Sequence, residues 1–238
     1  MKTEILGVKV DNLTMAEALQ KVESFLKDGQ QHYLVTPNPE FLVKAQKDEE
    51  FKEILNQADL AVPDGIGLIF AAWFLGQPLK QRITGVDLVK CILEIAQKKR
   101  TKIVVVNWPG GLSSKEEITK SIKRNYPDLK FVVENIKEEV EFCGFRKEFY
   151  PDILFVNFGA PYQERFIYDN LEKMPSVKLA MGVGGAFDFM AGQAQRAPNL
   201  LRAIGLEWLW RFSCQPWRFK RIFKAVIVFP WLIIKGRA

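Results

Sequence analysis

Six short apolar runs alternate with helical stretches along this chain, and that alternation leaves few ways to fold. Residues 32–36, 60–62, 102–106, 129–133, 153–157 and 177–181 read as strands, and most lack a polar face. A strand that is apolar on both sides must be covered on both sides. A mostly parallel sheet with helices on each face does this. Residues 41–57, 86–98, 113–125 and 162–171 carry helical spacing between the strands, and 66–75 reads as a buried helix. Ahead of the first strand, Thr14-Met15-Ala16-Glu17 has the form of a capping box. Ala18, Leu19, Val22, Phe25 and Leu26 follow at helical spacing, and Gly29 closes that helix. The expected fold is α/β and Rossmann-like, with a mostly parallel sheet and helices on both faces.

In such sheets ligands bind beyond the carboxyl ends of the strands. Unusual turn sequences sit at those ends here: Thr36-Pro37-Asn38, Pro63-Asp64-Gly65, Gly159-Ala160-Pro161 and Gly182-Val183-Gly184. Each has an ordinary reading beside a functional one. Asp64 in Pro-Asp-Gly is most often a turn aspartate bonded to its own backbone; at a strand end it is also a candidate catalytic carboxylate. Asn38 is a turn residue, or an amide held ready for a ligand. Thr36 is an ordinary β-branched strand residue, or part of the same site. The Gly182–Gly185 cluster lacks the full dinucleotide fingerprint, because Phe187-Asp188 stands where the third glycine belongs. It is a tight turn, or a loop whose amides and Asp188 meet a nucleotide. Gln163-Glu164-Arg165 opens a helix aimed at a strand end, a ready anion site. Arg82 and Arg196 lie in polar connections and read by default as solvated charges.

Charge divides the chain unevenly. Lys plus Arg is 34 against 28 for Asp plus Glu, a net charge of +6, yet no acid follows Glu207. Seven cations do: Arg211, Arg218, Lys220, Arg221, Lys224, Lys235 and Arg237. Residues 1–207 therefore carry 27 − 28 = −1. The expected organisation is an α/β core over residues 1–205 and a basic, aromatic-rich helical appendage over 206–238. Four of the six tryptophans, Trp208, Trp210, Trp217 and Trp231, lie in that tail among its arginines and lysines. Aromatic and basic residues interleaved this way suit single-stranded nucleic acid or an anionic bilayer surface. The apolar run 225–234 (AVIVFPWLII) decides for the membrane, since nucleic acid offers it nothing to pack against. A core helix with a frayed end is the ordinary alternative.

Three well-separated cysteines, Cys91, Cys143 and Cys214, suggest no disulfide framework, and the single histidine, His32, excludes multi-histidine zinc sites. The first residues hold no apolar run of signal-peptide length, which with free thiols favours the cytoplasm. No stretch reaches the roughly 20 apolar residues that span a bilayer. No cofactor is indicated, and a homo-oligomer is compatible with all of this.

Taken together the turns resemble the WecG/TagA/CpsF family of bacterial glycosyltransferases. The matching segments are Thr36-Pro37-Asn38-Pro39-Glu40, Pro63-Asp64-Gly65-Ile66-Gly67, Arg82-Ile83-Thr84-Gly85-Val86-Asp87, Gly159-Ala160-Pro161-Tyr162-Gln163-Glu164 and Gly182-Val183-Gly184-Gly185-Ala186-Phe187-Asp188. Ala191-Gly192, Arg196-Ala197-Pro198, Gly205-Leu206-Glu207-Trp208-Leu209-Trp210-Arg211 and Pro216-Trp217-Arg218 continue the match. The resemblance implies inverting transfer of an N-acetylmannosamine-type sugar from a UDP donor. The implied acceptor is undecaprenyl-diphosphate-linked N-acetylglucosamine at the inner face of the cytoplasmic membrane, for teichoic acid, capsule or related polymers. By motif, Asp64 is then the general base. Thr36, Asn38, Arg82 and Gln163 line the site, the Gly184/Asp188 loop meets the nucleotide, and Arg211, Arg218 and Arg221 close over the donor diphosphate. The chain has no Asp-x-Asp metal motif, so the arginines are expected to stabilise the leaving group without a metal. It departs from the family pattern at Asn107-Trp108-Pro109-Gly110-Gly111 and at Phe142-Cys143-Gly144-Phe145. A different UDP-hexose donor is therefore an alternative. Two readings from other classes are a nicotinamide-type oxidoreductase, which the weak glycine pattern disfavours, and a non-enzymatic membrane adaptor.

Overall fold

The computed structural model describes residues 1–136 and 149–237. The chain opens with an antiparallel hairpin, β1 (Lys2–Ile5) and β2 (Val8–Asp11), turned by Leu6 and Gly7, both at positive φ. Then follow α1 (Met15–Phe25), β3 (His32–Val35), α2 (Pro39–Ala45), α3 (Glu49–Gln57), β4 (Leu60–Ala61), α4 (Ile66–Phe74) and α5 (Gly85–Lys99). The second half runs β5 (Lys102–Asn107), α6 (Lys115–Asn125), β6 (Lys130–Asn135), β7 (Ile153–Asn157), α7 (Tyr162–Asn170), β8 (Leu179–Gly182) and α8 (Ala186–Ala191). The chain ends in α9 (Asn199–Ala203), α10 (Glu207–Cys214), α11 (Phe219–Phe223), a π-helical turn and α12 (Phe229–Arg237).

Six strands form one wholly parallel sheet in the order β4-β3-β8-β7-β5-β6. Successive side chains alternate between its faces. Leu34, Ile103, Val105, Ile153, Phe155, Leu179 and Met181 pack against α1, α5, α6 and α8. Val35, Val104, Val106, Leu154, Val156 and Ala180 meet α2, α3, α4, α7 and the hairpin on the other side. Both faces are apolar because both are covered, and all the strand carboxyl ends point one way.

The Thr14–Glu17 capping box forms as the sequence indicates, but α1 stops at Phe25 rather than at Gly29. Residues 41–57 are two helices, not one. Asp48 accepts a hydrogen bond from the Phe51 amide at 3.1 Å and starts α3 afresh, an N-cap that outweighs the continuing apolar periodicity. Nor is α4 buried all round: Leu68, Ala71 and Ala72 face the core while Phe70, Trp73 and Phe74 are exposed. The tail also departs from a wholly surface segment. Phe229 and Ile233 join the core beside α2 and α4, while Ile227, Trp231 and Ile234 face outward.

Phe155 sits at the centre of the sheet, with its ring edge-on to Phe187 at 6.0 Å. Phe155→Ala is expected to destabilise the fold by about 3–5 kcal/mol, read as a lower urea midpoint at unchanged m-value.

Candidate active site

The turn after β4 is fastened at three points. The Asp64 amide donates to the Pro37 carbonyl at 2.9 Å, the Pro63 carbonyl accepts from the Ile83 amide at 2.9 Å, and Asp64 Oδ2 accepts from the Gly85 amide at 3.2 Å. The carboxyl thus bonds to the first turn of α5, 21 residues on, and not to its own turn. Gly65 follows at φ +96, where an added Cβ would lie 3.2 Å from the Pro39 ring. The start of α5 is itself locked. Arg196 forks onto both Asp87 oxygens at 2.6 Å and reaches Thr84, which caps the helix. Arg196 is thus a structural clamp rather than a solvated charge. Burial raises the Asp64 pKa to about 6, against the lowering effect of the Gly85 amide and of Arg211 and Arg82.

Thr36, at the end of β3, lies beside this turn: a Cβ on Gly85 would be 3.5 Å from Asp64 Oδ2 and 3.6 Å from Thr36 Oγ1. Asn38 caps α2, its Oδ1 accepting from the Phe41 amide at 3.0 Å. Its Nδ2 has no protein partner among the described residues. Across the sheet, Gln163 ties two strand-end loops together. Its Oε1 accepts from the Gly159 amide at 3.0 Å and the Gly184 amide at 2.9 Å, and its Nε2 donates to Glu164 Oε1 at 2.6 Å. Glu164 is 1% exposed, and its other oxygen is buried without a partner among the described residues. Burial pushes its pKa up to about 7, outweighing the Gln163 bond, its own amide and Lys44.

β5, β6 and β7 each end in asparagine, and the three stand in register: Asn107 opposite Asn135 and Asn157. Asn157 donates to Asn107 Oδ1 at 2.8 Å, and Asn107 to Asn135 Oδ1 at 3.2 Å and to the Ser113 carbonyl at 3.2 Å. The Ser113 hydroxyl then donates to Asp188 Oδ1 at 2.6 Å. This polar chain fixes Asp188 and the loop around Gly184, whose φ of +51 favours glycine.

The tail lies over the strand ends. Arg211 bonds Glu207 at 2.5 Å and covers the Phe189 ring at 5.0 Å. Arg221 Nε donates to both Glu40 oxygens, at 2.7 and 2.9 Å. Arg82 faces Glu207 at 4.0 Å and is only 18% exposed, so it is not a solvated surface charge. The Arg218 amide donates to the Gln215 carbonyl at 3.0 Å, but its guanidinium has no hydrogen bond or ion pair among the described residues. Burial, then its neighbours Arg221 and Arg211, lowers its pKa to about 10, so it stays cationic at neutral pH.

Two cavities meet here. The larger, about 410 Å³, follows the strand ends and is lined by Thr36, Asn38, Asp64, Asn157, Gln163, Gly184, Asp188, Arg211, Gln215, Arg218 and Arg221 among others. The smaller, about 210 Å³, runs under the tail between Ile66, Gly67 and Arg82 on one side and Trp208, Ile222, Ala225 and Val226 on the other. Asn38, Asp64, Arg211, Arg218 and Arg221 line both. Asp64 therefore stands at the junction, with Arg211 and Arg82 close enough to act on its charge and Arg218 and Arg221 on the same walls. Among the described residues no cluster of three or more His, Cys, Asp or Glu is placed to hold a metal ion.

A profile described as the glycosyl transferase WecG/TagA/CpsF family matches residues 3–238. The chain belongs to this family. Its relatives include an N-acetylglucosaminyldiphosphoundecaprenol N-acetyl-beta-D-mannosaminyltransferase of Staphylococcus aureus strain MRSA252 and a protein of the same name from strain MW2. Each is 32% identical to it over 241 residues, covering 99% of this chain and 93% of the relative. The protein is a glycosyltransferase, and the oxidoreductase and adaptor readings are set aside.

All ten residues singled out in this glycosyltransferase sequence lie on the two cavities, Arg82 on the smaller alone. Glu164 and Glu207 stand out in the sequence only as parts of motifs, and Asn157 and Gln215 carry no expected role there. Gln215 Oε1 is buried in the wall of the larger cavity without a partner among the described residues. Asn157 had a visible signal, a polar residue closing an apolar strand. Of the two departures from the family pattern, Trp108, Gly110 and Gly111 line the larger cavity, whereas residues 142–145 and Cys143 lie outside the described residues.

Glu164 keeps its proton in the folded chain at pH values where the unfolded chain has ionised. Its contribution to stability is present below pH about 4.5 and lost as pH rises through about 7. Glu164→Gln keeps an acceptor for Gln163 and removes that loss. At pH 8 it is expected to stabilise the fold by on the order of 2 kcal/mol in urea titrations, and to be near neutral at pH 5.

Proposed function

We propose that this enzyme transfers an N-acetylmannosamine-type sugar from a UDP donor to N-acetylglucosamine carried on undecaprenyl diphosphate, with inversion and without a metal. The relatives' names support the acceptor and the sugar. The observation that carries the mechanism is Arg218, a largely desolvated guanidinium with no ion pair among the described residues, beside Arg211 and Arg221 and on the same cavity as Asp64. Such crowding of cations is unfavourable unless an anion of several charges arrives between them.

The UDP donor lies in the larger cavity, its nucleotide toward the Gly184/Asp188 loop and its diphosphate under Arg211, Arg218 and Arg221. The acceptor enters by the smaller cavity, whose apolar tail wall suits a lipid carrier. Thr36, Asn38, Arg82 and the loops tied by Gln163 hold the sugars. The acceptor hydroxyl oxygen attacks the anomeric carbon as Asp64 takes its proton. The bond from that carbon to the UDP β-phosphate oxygen breaks, and UDP leaves with the bonding pair. Fixed guanidinium donors stabilise the charge that grows on the β-phosphate. A carboxylate with a pKa of about 6 is mostly ionised at pH 7 yet basic enough to accept the proton.

Among the described residues no helix is long and apolar enough to cross a membrane. In this reading the tail, residues 208–238, docks the enzyme on the inner face of the cytoplasmic membrane, where its acceptor lies. Phe229 and Ile233 are part of the core, so point variants test the tail more cleanly than truncation.

Turnover is to be assayed with UDP-N-acetylmannosamine and other UDP-hexoses, a short-chain lipid-diphosphate N-acetylglucosamine acceptor, and EDTA throughout. Product of inverted configuration in chelator is the expected result; turnover that requires an added divalent ion defeats the guanidinium mechanism. The pH profile of kcat/KM should rise with a limb near pH 6. Asp64→Asn should lower kcat by at least about 10³-fold, remove the limb and stabilise the fold at pH 7, since it no longer buries a charge. Full activity in that variant rules out Asp64 as the base. Arg218→Ala should lower kcat about 10²-fold and abolish the rise in Tm that UDP confers, with little change in the Tm of the unliganded protein.

A further inference from the structure

α4 reads IGLIFAAWF and carries no charge. Its inner side, Leu68, Ala71 and Ala72, packs in the core. Phe70, Trp73 and Phe74, spaced i, i+3 and i+4, share the opposite face, with Phe70 64% and Trp73 71% exposed. Singly exposed apolar side chains need no explanation, but several large aromatics on one helix face do. This face does not stand alone. α12 packs beside α4, the Phe229 ring lying 3.7 Å from where a Cβ on Gly67 would be. Trp231 and Ile234 of α12 are also turned outward, 56% and 62% exposed.

The surrounding charge selects the partner. Lys220, Lys224 and Lys235 are exposed on the tail, Lys235 Nζ sits 5.1 Å over the Trp231 ring, and the tail has no acid beyond Glu207. The nearby Glu40 is bound to Arg221. Aromatic side chains beside the tail's cations match the interface of an anionic bilayer, where rings sit among the headgroups and lysines meet phosphates. The smaller cavity opens between the start of α4 and the tail helices, through Ile66, Gly67, Ile222 and Val226.

We propose that α4 is a second membrane-inserting element: Phe70, Trp73 and Phe74 enter an anionic lipid surface beside α12, bringing the mouth of the smaller cavity to headgroup level. This rests on the reading of the tail as membrane-binding and adds a part of the core domain to that surface. The enzyme then meets the bilayer at two helices from distant parts of the chain, which fixes its orientation and not merely its attachment.

The test uses the full chain and vesicles of phosphatidylcholine with or without phosphatidylglycerol. Binding is read by sedimentation, and insertion by an environment-sensitive dye at Phe70→Cys in a chain with its three native cysteines replaced by serine. The expected result is binding that needs phosphatidylglycerol, a blue shift of the dye on binding, and at least about ten-fold weaker binding by Phe70→Ser/Trp73→Ser. That variant should keep the wild-type Tm and the wild-type turnover of a water-soluble acceptor. If the wild-type chain binds while the dye stays in water and the double variant binds equally well, α4 has no such role and the tail reading survives. If the wild-type chain does not bind at all, both fall. If sedimentation velocity shows self-association that the double variant abolishes, with no dye shift on vesicles, the face is a contact between copies and the proposal is overturned.

Discussion

The bond from the Gly85 amide to Asp64 holds the carboxyl of the site in place. It ties the turn after β4 to the first turn of α5, and Arg196, Asp87 and Thr84 hold that first turn in place. A carboxylate in a flexible turn would relax toward water. Here the backbone is fixed from Pro37 on one side and Ile83 on the other, so the carboxyl stays partly buried and its proton affinity rises. Stability and chemistry oppose each other at this residue: the burial that raises basicity also makes the ionised group unfavourable in the fold.

Much of the architecture was legible because the strands are apolar on both faces, a pattern that only a doubly covered parallel sheet accommodates. The turns at the strand ends were legible for a related reason, since proline, glycine and aspartate interrupt otherwise regular segments. What escaped was what pattern cannot encode. The split of residues 41–57 depends on one aspartate preferring a cap over continuation. The hairpin at the N-terminus turns on Leu6-Gly7, a pair with weak turn character. The half-exposure of α4 was hidden because its exposed face is as apolar as its buried one.

The candidate site shows the same division. Asp64, Thr36 and Asn38 announce themselves by position in the chain. Glu164 does not, because its burial follows from how α7 lies on the sheet. Of the asparagine ladder only Asn157 closes a strand as read from the sequence, since Asn107 and Asn135 fall just beyond residues 102–106 and 129–133; the ladder depends on register, which brings Asn107 level with both Asn135 and Asn157. The pairing of Arg221 with Glu40, 181 positions apart, is likewise a product of tertiary structure alone.

Anchoring the chain's end through Phe229 and Ile233 changes what kind of object the tail is. With α10 rooted near Arg82 and α12 seated on the core, the arginine-bearing stretch between them is a bridge held at both abutments rather than a dangling arm. Its guanidinium groups never have to be recruited from solution. Their effective concentration at the strand ends is fixed by the span, and gathering a polyphosphate becomes a local rearrangement with little translational entropy to lose.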